Sequence, residues 1–162
     1  MPTQLDDIMK ARDIPKFRKW ALLGGKLVTR IVKDAGKGIS QDPDGKPFPA
    51  YKESYANLKK IGKAGAKGTG KSRQINPPDL RLTGEMLNSI KAQKPKNDSV
   101  EINYRSGLKV LGHSKKRGNK AKRNIIGLND KNWEFAKDFI ADEIDDRIIK
   151  FYKKKVKIDL EI

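Results

Sequence analysis

The sequence predicts an α+β domain, in which a small antiparallel β-sheet packs against a long N-terminal helix and a long C-terminal helix, with long basic loops. Apolar residues recur at three- and four-residue steps over 14–35 and again over 129–153, which is typical of amphipathic helices. Between them, Val100, Ile102 and Tyr104 alternate with polar residues, as half-buried strand residues do. Helical patterns that flank strand-like alternation favour a sheet with one face covered by helices.

The length and composition predict one domain spanning residues 1–162, with a modest core, because only 36% of the residues are hydrophobic. No stretch approaches the roughly 20 apolar residues that a membrane span needs, so we expect no membrane partner. The segment Met1–Asp7 carries acids and lacks an apolar stretch, unlike a secretion signal. The absence of cysteine excludes disulfides and zinc–thiolate sites, and it fits a reducing compartment.

The net charge of +17 is unevenly distributed, since residues 105–123 contain eight basic residues and no acid. Self-repulsion on this scale is tolerated most easily when a polyanion or an acidic partner neutralises it. A solvated loop without function would explain the same run. The candidate contacts to DNA or to an acidic partner are Lys115, Lys116, Arg117, Lys120, Lys122 and Arg123.

The predicted N-terminal helix contains Gly24 and Gly25, each of which costs about 1 kcal/mol relative to alanine. Close packing of another backbone at this point would offset that cost, and a break into two helices is the alternative. Gly36 and Gly38 are expected to end the helix.

Residues 36–79 are predicted to form a loop-rich connector. It contains a cluster of turn formers over 42–49, followed by a short helix that ends near Ile61. Asp42 and Asp44 lack the further ligands of a calcium loop, so we expect no metal site. Residues 65–72 match the P-loop pattern, but no apolar strand leads into them and Pro77 bars a long helix after them. We therefore read this match as chance and expect no cofactor.

Residues 80–128 are predicted to form a short helix followed by the sheet. Thr83 is the expected N-cap of that helix. The expected strands are 89–93, 100–104 and 108–111. His113, the single histidine, has few acidic neighbours in the sequence, so we assign it no role and expect no catalytic residue.

Asn129 is the predicted N-cap of the C-terminal helix, with Leu128 and Trp133 at the spacing of a hydrophobic staple. The predicted core stripe is Trp133, Ala136, Ile140, Ile144, Ile148 and Phe151, with Phe135 and Phe139 beside it. Residues 156–162 alternate strictly and predict a strand arm. Its apolar side would be an assembly interface formed by Val156, Ile158, Leu160 and Ile162.

Three short segments resemble motifs of the phage virion morphogenesis family, the Mu G-like tail-completion and head–tail joining proteins of tailed bacteriophages. Residues 42–48 are similar to the family's D-P-x-G-x-x-[WF], residues 80–90 to its L-R-x-T-G-x-L-x-x-S-I, and residues 123–130 to its R-x-[FI]-[LI]-G-L-[ST] region. The matching residues are Asp42, Pro43, Gly45, Phe48, Leu80, Thr83, Gly84, Ser89, Ile90, Gly127 and Leu128. The likeness covers residues 38–143 and departs from the family after the strands. There the family has a Tyr-Ala pair and an aromatic-glycine step, whereas this chain has residues 107–109 (Gly-Leu-Lys) and 112–113 (Gly-His). The family's proline before the arginine that corresponds to Arg123 is also absent.

The resemblance implies a non-enzymatic structural protein at the neck of the virion, made in the host cytoplasm. It also implies a ring of identical subunits, six-fold or twelve-fold, around the DNA channel. The implied partners are the connector or adaptor proteins and the tail tube or tail terminator proteins, close to double-stranded DNA.

Two other readings compete with this one. A basic nucleic-acid-binding module would explain the charge, although no helix-turn-helix, zinc-ligand or RNA-binding aromatic pattern is visible. A nucleotide-dependent enzyme would explain the P-loop match at 65–72.

Overall fold

The computed structural model describes residues 17–64, 72–80, 84–96, 98–104 and 122–159, with residues 151–159 described by their backbone alone. Helices and one antiparallel pair of strands make up this part of the chain, which confirms the α+β class. The elements in chain order are α1 Trp20–Gly36, α2 Glu53–Lys60, α3 Glu85–Asn88, β1 Ile90–Ala92, β2 Ile102–Tyr104 and α4 Asp130–Asp159. No helix in the described ranges is long and apolar enough to cross a membrane.

α1 is continuous through both glycines, so the alternative of a broken helix is wrong. A Cβ atom at Gly24 would lie 2.7 Å from Val100 Cγ2 and 2.8 Å from Ala92 Cβ. The close neighbours are therefore side chains of the sheet region rather than another backbone. Gly25 faces open space. The glycine at position 24 lets α1 lie directly on the sheet, whereas the one at position 25 has no packing reason in the described structure.

The sheet consists of two short strands that pair antiparallel and sit between α1 and solvent. Its register pairs Ile90 with Tyr104, Lys91 with Asn103 and Ala92 with Ile102. Lys91 and Asn103 are exposed, while the other four residues are buried or half-buried. The two predicted strands are confirmed in shorter form. Val100 precedes β2, and the predicted third strand at 108–111 lies outside the described residues.

α3 begins at Glu85, so its N-cap position is Gly84 and not the predicted Thr83. Gly84 has a φ of +84°, a left-handed conformation that glycine adopts without steric cost. Thr83 itself lies outside the described residues.

α4 begins as predicted, because the backbone N–H of Asn132 donates to Asn129 Oδ1 at 3.0 Å. It continues to Asp159, so the predicted strand is wrong for Val156 and Ile158. Extending an existing helix adds one hydrogen bond for each residue fixed, whereas a lone strand needs a partner edge. Leu160 and Ile162 lie outside the described residues.

The prediction that Trp133 belongs to the core is wrong, because this side chain is 55% exposed. The residue before it, Asn132, occupies the buried position and accepts a hydrogen bond from Arg30 Nε at 2.7 Å. This polar contact determines which face of α4 is turned toward α1. Leu128 packs against both core clusters and does not form the predicted hydrophobic staple with Trp133. Ala136, Ile140 and Ile144 pack as predicted.

Two apolar clusters hold these elements together. The first joins α1 to α3, β1 and the connector, and its buried members are Ile31, Ala35, Phe48, Leu80, Met86, Leu87, Ile90 and Ile125. The second joins α1 to α4, and its buried members are Phe17, Leu23, Leu27 and Ala136.

α1 and α4 run antiparallel, with cationic side chains of α1 and its N-terminal flank lying across the seam. Lys19 pairs with Glu143, Lys26 lies 5.7 Å from the Phe139 ring centroid, and Arg30 lies 4.3 Å from the Phe135 ring centroid. Part of the charge of α1 is therefore used within the fold.

Candidate functional site at the meeting point of three motifs

The segment 42–48 forms a tight turn that carries Phe48 into the core. The Gly45 N–H donates to the Asp42 carbonyl at 2.8 Å, and Gly45 has a φ of +59°. The Phe48 N–H then donates to the Gly38 carbonyl at 2.6 Å, and the Phe48 side chain is 4% exposed. Glycine at position 45 is required by the left-handed conformation.

The segment 122–130 packs against this turn through its backbone and side chains. The Gln41 N–H donates to the Asn124 carbonyl at 2.9 Å, and the Asp130 N–H donates to the Pro43 carbonyl at 2.9 Å. The second bond satisfies one of the N–H groups that the start of α4 leaves without a helical partner. Asn124 Nδ2 also donates to Asp42 Oδ1 at 3.0 Å. The turn therefore fixes where α4 begins.

A buried polar network joins the same turn to α1. Asp34 Oδ2 accepts hydrogen bonds from Gln41 Nε2 at 3.1 Å, Asn129 Nδ2 at 3.3 Å and Asn132 Nδ2 at 2.8 Å. The Gln41 Oε1 atom accepts from Asn132 Nδ2 at 3.0 Å. Sequence reasoning identified Asn129 only as a cap and missed the network, because its members come from three separate segments.

The segment 80–90 contributes apolar packing to the same region. Leu80 and Ile90 are buried in one cluster with Phe48 and Ile125, so all three motifs meet in a single core. Leu80 has a φ of +51°, and its N–H donates to the Tyr51 hydroxyl at 3.1 Å. Ser89 Oγ donates to the Met86 carbonyl at 2.7 Å. Thr83 lies outside the described residues, and the other motif residues lie in or beside this junction.

A buried ion pair lies next to the junction and was not predicted. The Lys59 and Asp79 side chains form a direct ion pair, and they are 1% and 3% exposed. Ser72 Oγ donates to Asp79 Oδ2 at 2.6 Å, and Lys59 Nζ donates to the Tyr51 hydroxyl at 3.3 Å. These further bonds offset the desolvation of the two charges. Burial raises the pKa of the Tyr51 hydroxyl.

Arg123 is half-buried and is anchored to this junction. Its guanidinium donates to the Pro49 carbonyl at 3.1 and 2.9 Å and to the Ala50 carbonyl at 2.8 Å, and it lies 4.8 Å from the Tyr51 ring centroid. Burial lowers the pKa of Arg123 below its ordinary value. The structure therefore gives this candidate contact residue an internal role.

Lys122 is more accessible, with its side chain 50% exposed while it pairs with Asp42 at 2.9 Å. This hydrogen bond is the main reason that the pKa of Asp42 lies below its ordinary value. The other four candidate contacts, Lys115, Lys116, Arg117 and Lys120, lie outside the described residues.

The described residues on either side of the basic segment come together. The Tyr104 hydroxyl donates to the Ile125 carbonyl at 3.0 Å, close to where Arg123 is anchored. The described residues that flank segment 105–121 therefore meet at one place on the fold. A shallow cavity of about 430 Å³ opens on the outer face of the sheet, lined by Ser89, Lys91, Gln93, Asn103 and Tyr104.

The described residues contain no group of three acidic, histidine or cysteine side chains arranged to hold a metal ion. Ser72, the last residue of the P-loop-like pattern, uses its hydroxyl to bond Asp79. Residues 65–71 and His113 lie outside the described residues. Comparison with models of protein families, with curated proteins and with solved structures finds no match.

Proposed function

We propose that this protein is a non-enzymatic structural protein of a tailed-phage virion that acts in tail completion or head–tail joining at the neck. It would be one subunit of a ring around the DNA channel. The observation that carries the proposal is the set of three motifs at 42–48, 80–90 and 123–130, which are far apart in the chain and meet in one core.

The positions of the motif residues support this reading. Gly45, Gly84 and Gly127 have positive φ values, and Phe48 and Ile90 are buried. Residues that meet such backbone and packing requirements recur in proteins that share a fold. The resemblance of this chain to the family at these positions is therefore a resemblance in fold. The proposed function is the one that this family has.

The charge supports a partner that is DNA or an acidic connector protein. Segment 105–121 carries six of the basic residues and no acid, and a hydrogen bond joins Tyr104 and Ile125, which flank it. Positive charge concentrated in one stretch of the chain steers a polyanion or an acidic surface during encounter. We assign the partner contact to Lys115, Lys116, Arg117, Lys120 and Lys122, and we leave Arg123 out because it supports the junction.

Electron microscopy of phage lysates in which the gene carries an early stop codon tests the joining role. We expect full heads beside unattached tails, together with a loss of infectivity. Normal infectious particles would refute the proposal. Complementation with Lys115→Glu/Lys116→Glu/Arg117→Glu should fail. Lys91→Glu/Lys94→Glu/Lys96→Glu makes the same change in net charge on β1 and the β1–β2 connection, and it should restore joining.

A basic nucleic-acid-binding module is the second candidate, favoured by the charge of +17 and by the exposure of Lys122. Binding to a DNA duplex should then weaken steeply with salt, because each neutralised phosphate releases counterions. Fluorescence anisotropy across a salt series would measure this slope. Binding that is tight and indifferent to salt would exclude this mode.

The hypothesis of a nucleotide-dependent enzyme can be tested directly with the variant Lys71→Ala. If the variant complements the early-stop phage as well as the wild type, the P-loop-like pattern has no nucleotide role. Loss of complementation by a folded variant would revive that reading.

A further inference from the structure

The C-terminal end of α2 exposes two aliphatic side chains that lie next to each other. Leu58 is 45% exposed and Ile61 is 57% exposed, and three residues separate them, so they are neighbours on the helix surface. Residues 54–64 contain no acidic residue. Adjacent exposed apolar side chains with a polar rim are typical of protein–protein interfaces.

Cationic side chains form the rim of this apolar pair. The Lys63 N–H donates to the Leu58 carbonyl at 2.8 Å, which keeps these two residues together where α2 ends. Arg73 lies beside Gly62, since a Cβ atom at that glycine would be 3.6 Å from Arg73 Nε. We call this surface the α2 end patch, and its exposed members are Leu58, Lys60, Ile61, Lys63 and Arg73.

The outer face of α4 carries the opposite charge. Asn132, Ala136 and Glu143 are buried and turn the other face of the helix toward α1. On the side away from them, exposed residues follow one another at three- and four-residue steps and form one row. We call this row the α4 outer stripe, and its members are Glu134, Asp138, Ala141, Asp142 and Asp145.

Most of the charges of the two surfaces have no ion-pair partner within the described residues. Glu134 pairs with Lys137 of the same helix, but no other acid of the stripe and no cation of the α2 end patch takes part in an ion pair there. Ala141 interrupts the acidic side chains of the stripe. Asp138 and Asp145 lie on either side of it, about 10 Å apart along the helix axis, so a side chain of a binding partner can reach the helix between them.

We infer that the α2 end patch of one copy of this chain binds the α4 outer stripe of a second copy. In this contact Ile61 packs on Ala141 of the second copy, and Lys63 and Arg73 lie beside the carboxylates that flank that alanine. The apolar centre supplies binding energy, and the charged rim steers the encounter and fixes the orientation. The acidic stripe repels phosphate, so DNA does not fit it.

The contact joins two different surfaces, so each bound pair of copies still has one free patch and one free stripe. Each copy can therefore bind one neighbour through its α2 end patch and another through its α4 outer stripe, and such a series forms a ring when the rotation closes. The inference identifies the contact between neighbouring subunits of the proposed ring and rests on the proposed function in this respect. Its test uses purified protein without phage, so the contact and the joining role can fail separately.

Sedimentation velocity at low salt with charge-reversed variants tests the contact. The patch-reversed variant carries Lys60→Glu/Lys63→Glu/Arg73→Glu, and the stripe-reversed variant carries Asp138→Lys/Asp142→Lys/Asp145→Lys. We expect the wild type to form oligomers and each variant to associate about a hundred-fold more weakly, because like charges would face each other. A variant with all six changes should associate again, because opposite charges then face each other.

Lys91→Glu/Lys94→Glu/Lys96→Glu is the matched control, since it makes the same change in net charge as the patch-reversed variant and should associate like the wild type. Circular dichroism verifies that each variant is folded, and recovery with all six changes excludes misfolding as the cause. A wild type that stays monomeric, association that is insensitive to both reversals, or no recovery would each overturn the inference. Loss of duplex-DNA binding by the patch-reversed variant of a monomeric protein would assign the patch to nucleic acid instead.

Cysteine cross-linking tests which surfaces meet, because the chain has no native cysteine. With a short thiol reagent, Ile61→Cys and Ala141→Cys should each give no cross-linked pair alone, whereas an equal mixture of the two should give a dimer. A variant with both changes should give a ladder of oligomers, because every copy then carries both reactive surfaces. Efficient cross-linking of either single variant to its own copy would mean a two-fold contact and would overturn the proposed arrangement.

Discussion

At the scale of single residues, the buried Lys59–Asp79 pair is the feature that the sequence predicts least. Lys59 is one of many lysines in the chain, and its local pattern in α2 resembles a solvated face. The Lys59 amine can be buried because Asp79, 20 residues away, and the Tyr51 hydroxyl bind it. These contacts offset the free-energy cost of removing the charge from water. A local sequence window contains no signal for such a partner.

We expect Lys59→Met to lower the free energy of unfolding by about 3–5 kcal/mol, because the Asp79 carboxylate would remain buried without its cation. Urea denaturation measures the loss. The double variant Lys59→Met/Asp79→Leu should lose less than the single variant, since no buried charge is left. A single variant within about 1 kcal/mol of the wild type would contradict a closely coupled pair.

Asp42 is expected to make folding depend on pH. Its pKa is lowered below the ordinary value of 3.8, chiefly by the hydrogen bond from Lys122 and against the effect of burial. A carboxyl whose pKa is lower in the folded state stabilises the fold above its unfolded pKa. That stability is lost as the pH falls through the folded value.

Lys122→Ala should therefore flatten the decline in stability below about pH 4, as followed by thermal unfolding over a pH series. Asp42→Asn should have a similar effect, and the double variant should add little to either single change. A decline as steep as that of the wild type in both variants would assign the acid sensitivity to other carboxyls.

At the scale of elements, periodicity predicted the helices well and their ends less well. The apolar stripe of α1 required only local information, and Leu27, Ile31 and Ala35 are buried as predicted. The rotation of α4 depended on where Asn132 found polar partners, so Trp133 was placed wrongly. The strand predicted at 156–162 is wrong for residues 156–159, because the helix that leads into them continues to Asp159 and extending a helix is easier than forming a lone strand.

The two glycines of α1 form a matched pair for a test of helix–sheet packing. Gly25→Ala should raise the free energy of unfolding by up to about 1 kcal/mol, because alanine favours helix and nothing lies within reach of its Cβ. Gly24→Ala should instead lower it by about 1–3 kcal/mol, because the new atom would overlap Ala92 and Val100. Chemical denaturation of both variants measures the difference, and changes of the same sign would refute this packing.

At the scale of the whole molecule, the Asp34 network connects three parts of the chain. It joins α1 to the turn through Gln41 and to the start of α4 through Asn129 and Asn132. The same residues determine where α4 begins and which of its faces is turned inward. The candidate site depends on this arrangement, because Lys122 and Arg123 lie just before α4.

We expect Asp34→Leu to lower the free energy of unfolding by about 2–3 kcal/mol, because buried amide donors of Gln41, Asn129 and Asn132 lose an acceptor. Differential scanning calorimetry measures the change. Glu101→Leu, which replaces an exposed acid beside the sheet, is the control and should remain within about 0.5 kcal/mol of the wild type. Equal effects of the two changes would mean that the network contributes little.

The sequence by itself determined the α+β class, the apolar stripe of α1, the two strands, the cap of α4 at Asn129, and the uneven charge. Each of these follows from local periodicity, backbone preference or composition. Only the tertiary structure decided that the three motifs share one core, that Arg123 supports the junction, that Trp133 faces outward, and which residues partner Lys59 and Asp34. These features depend on contacts between segments 20 to 100 residues apart, and short-range patterns do not encode such contacts.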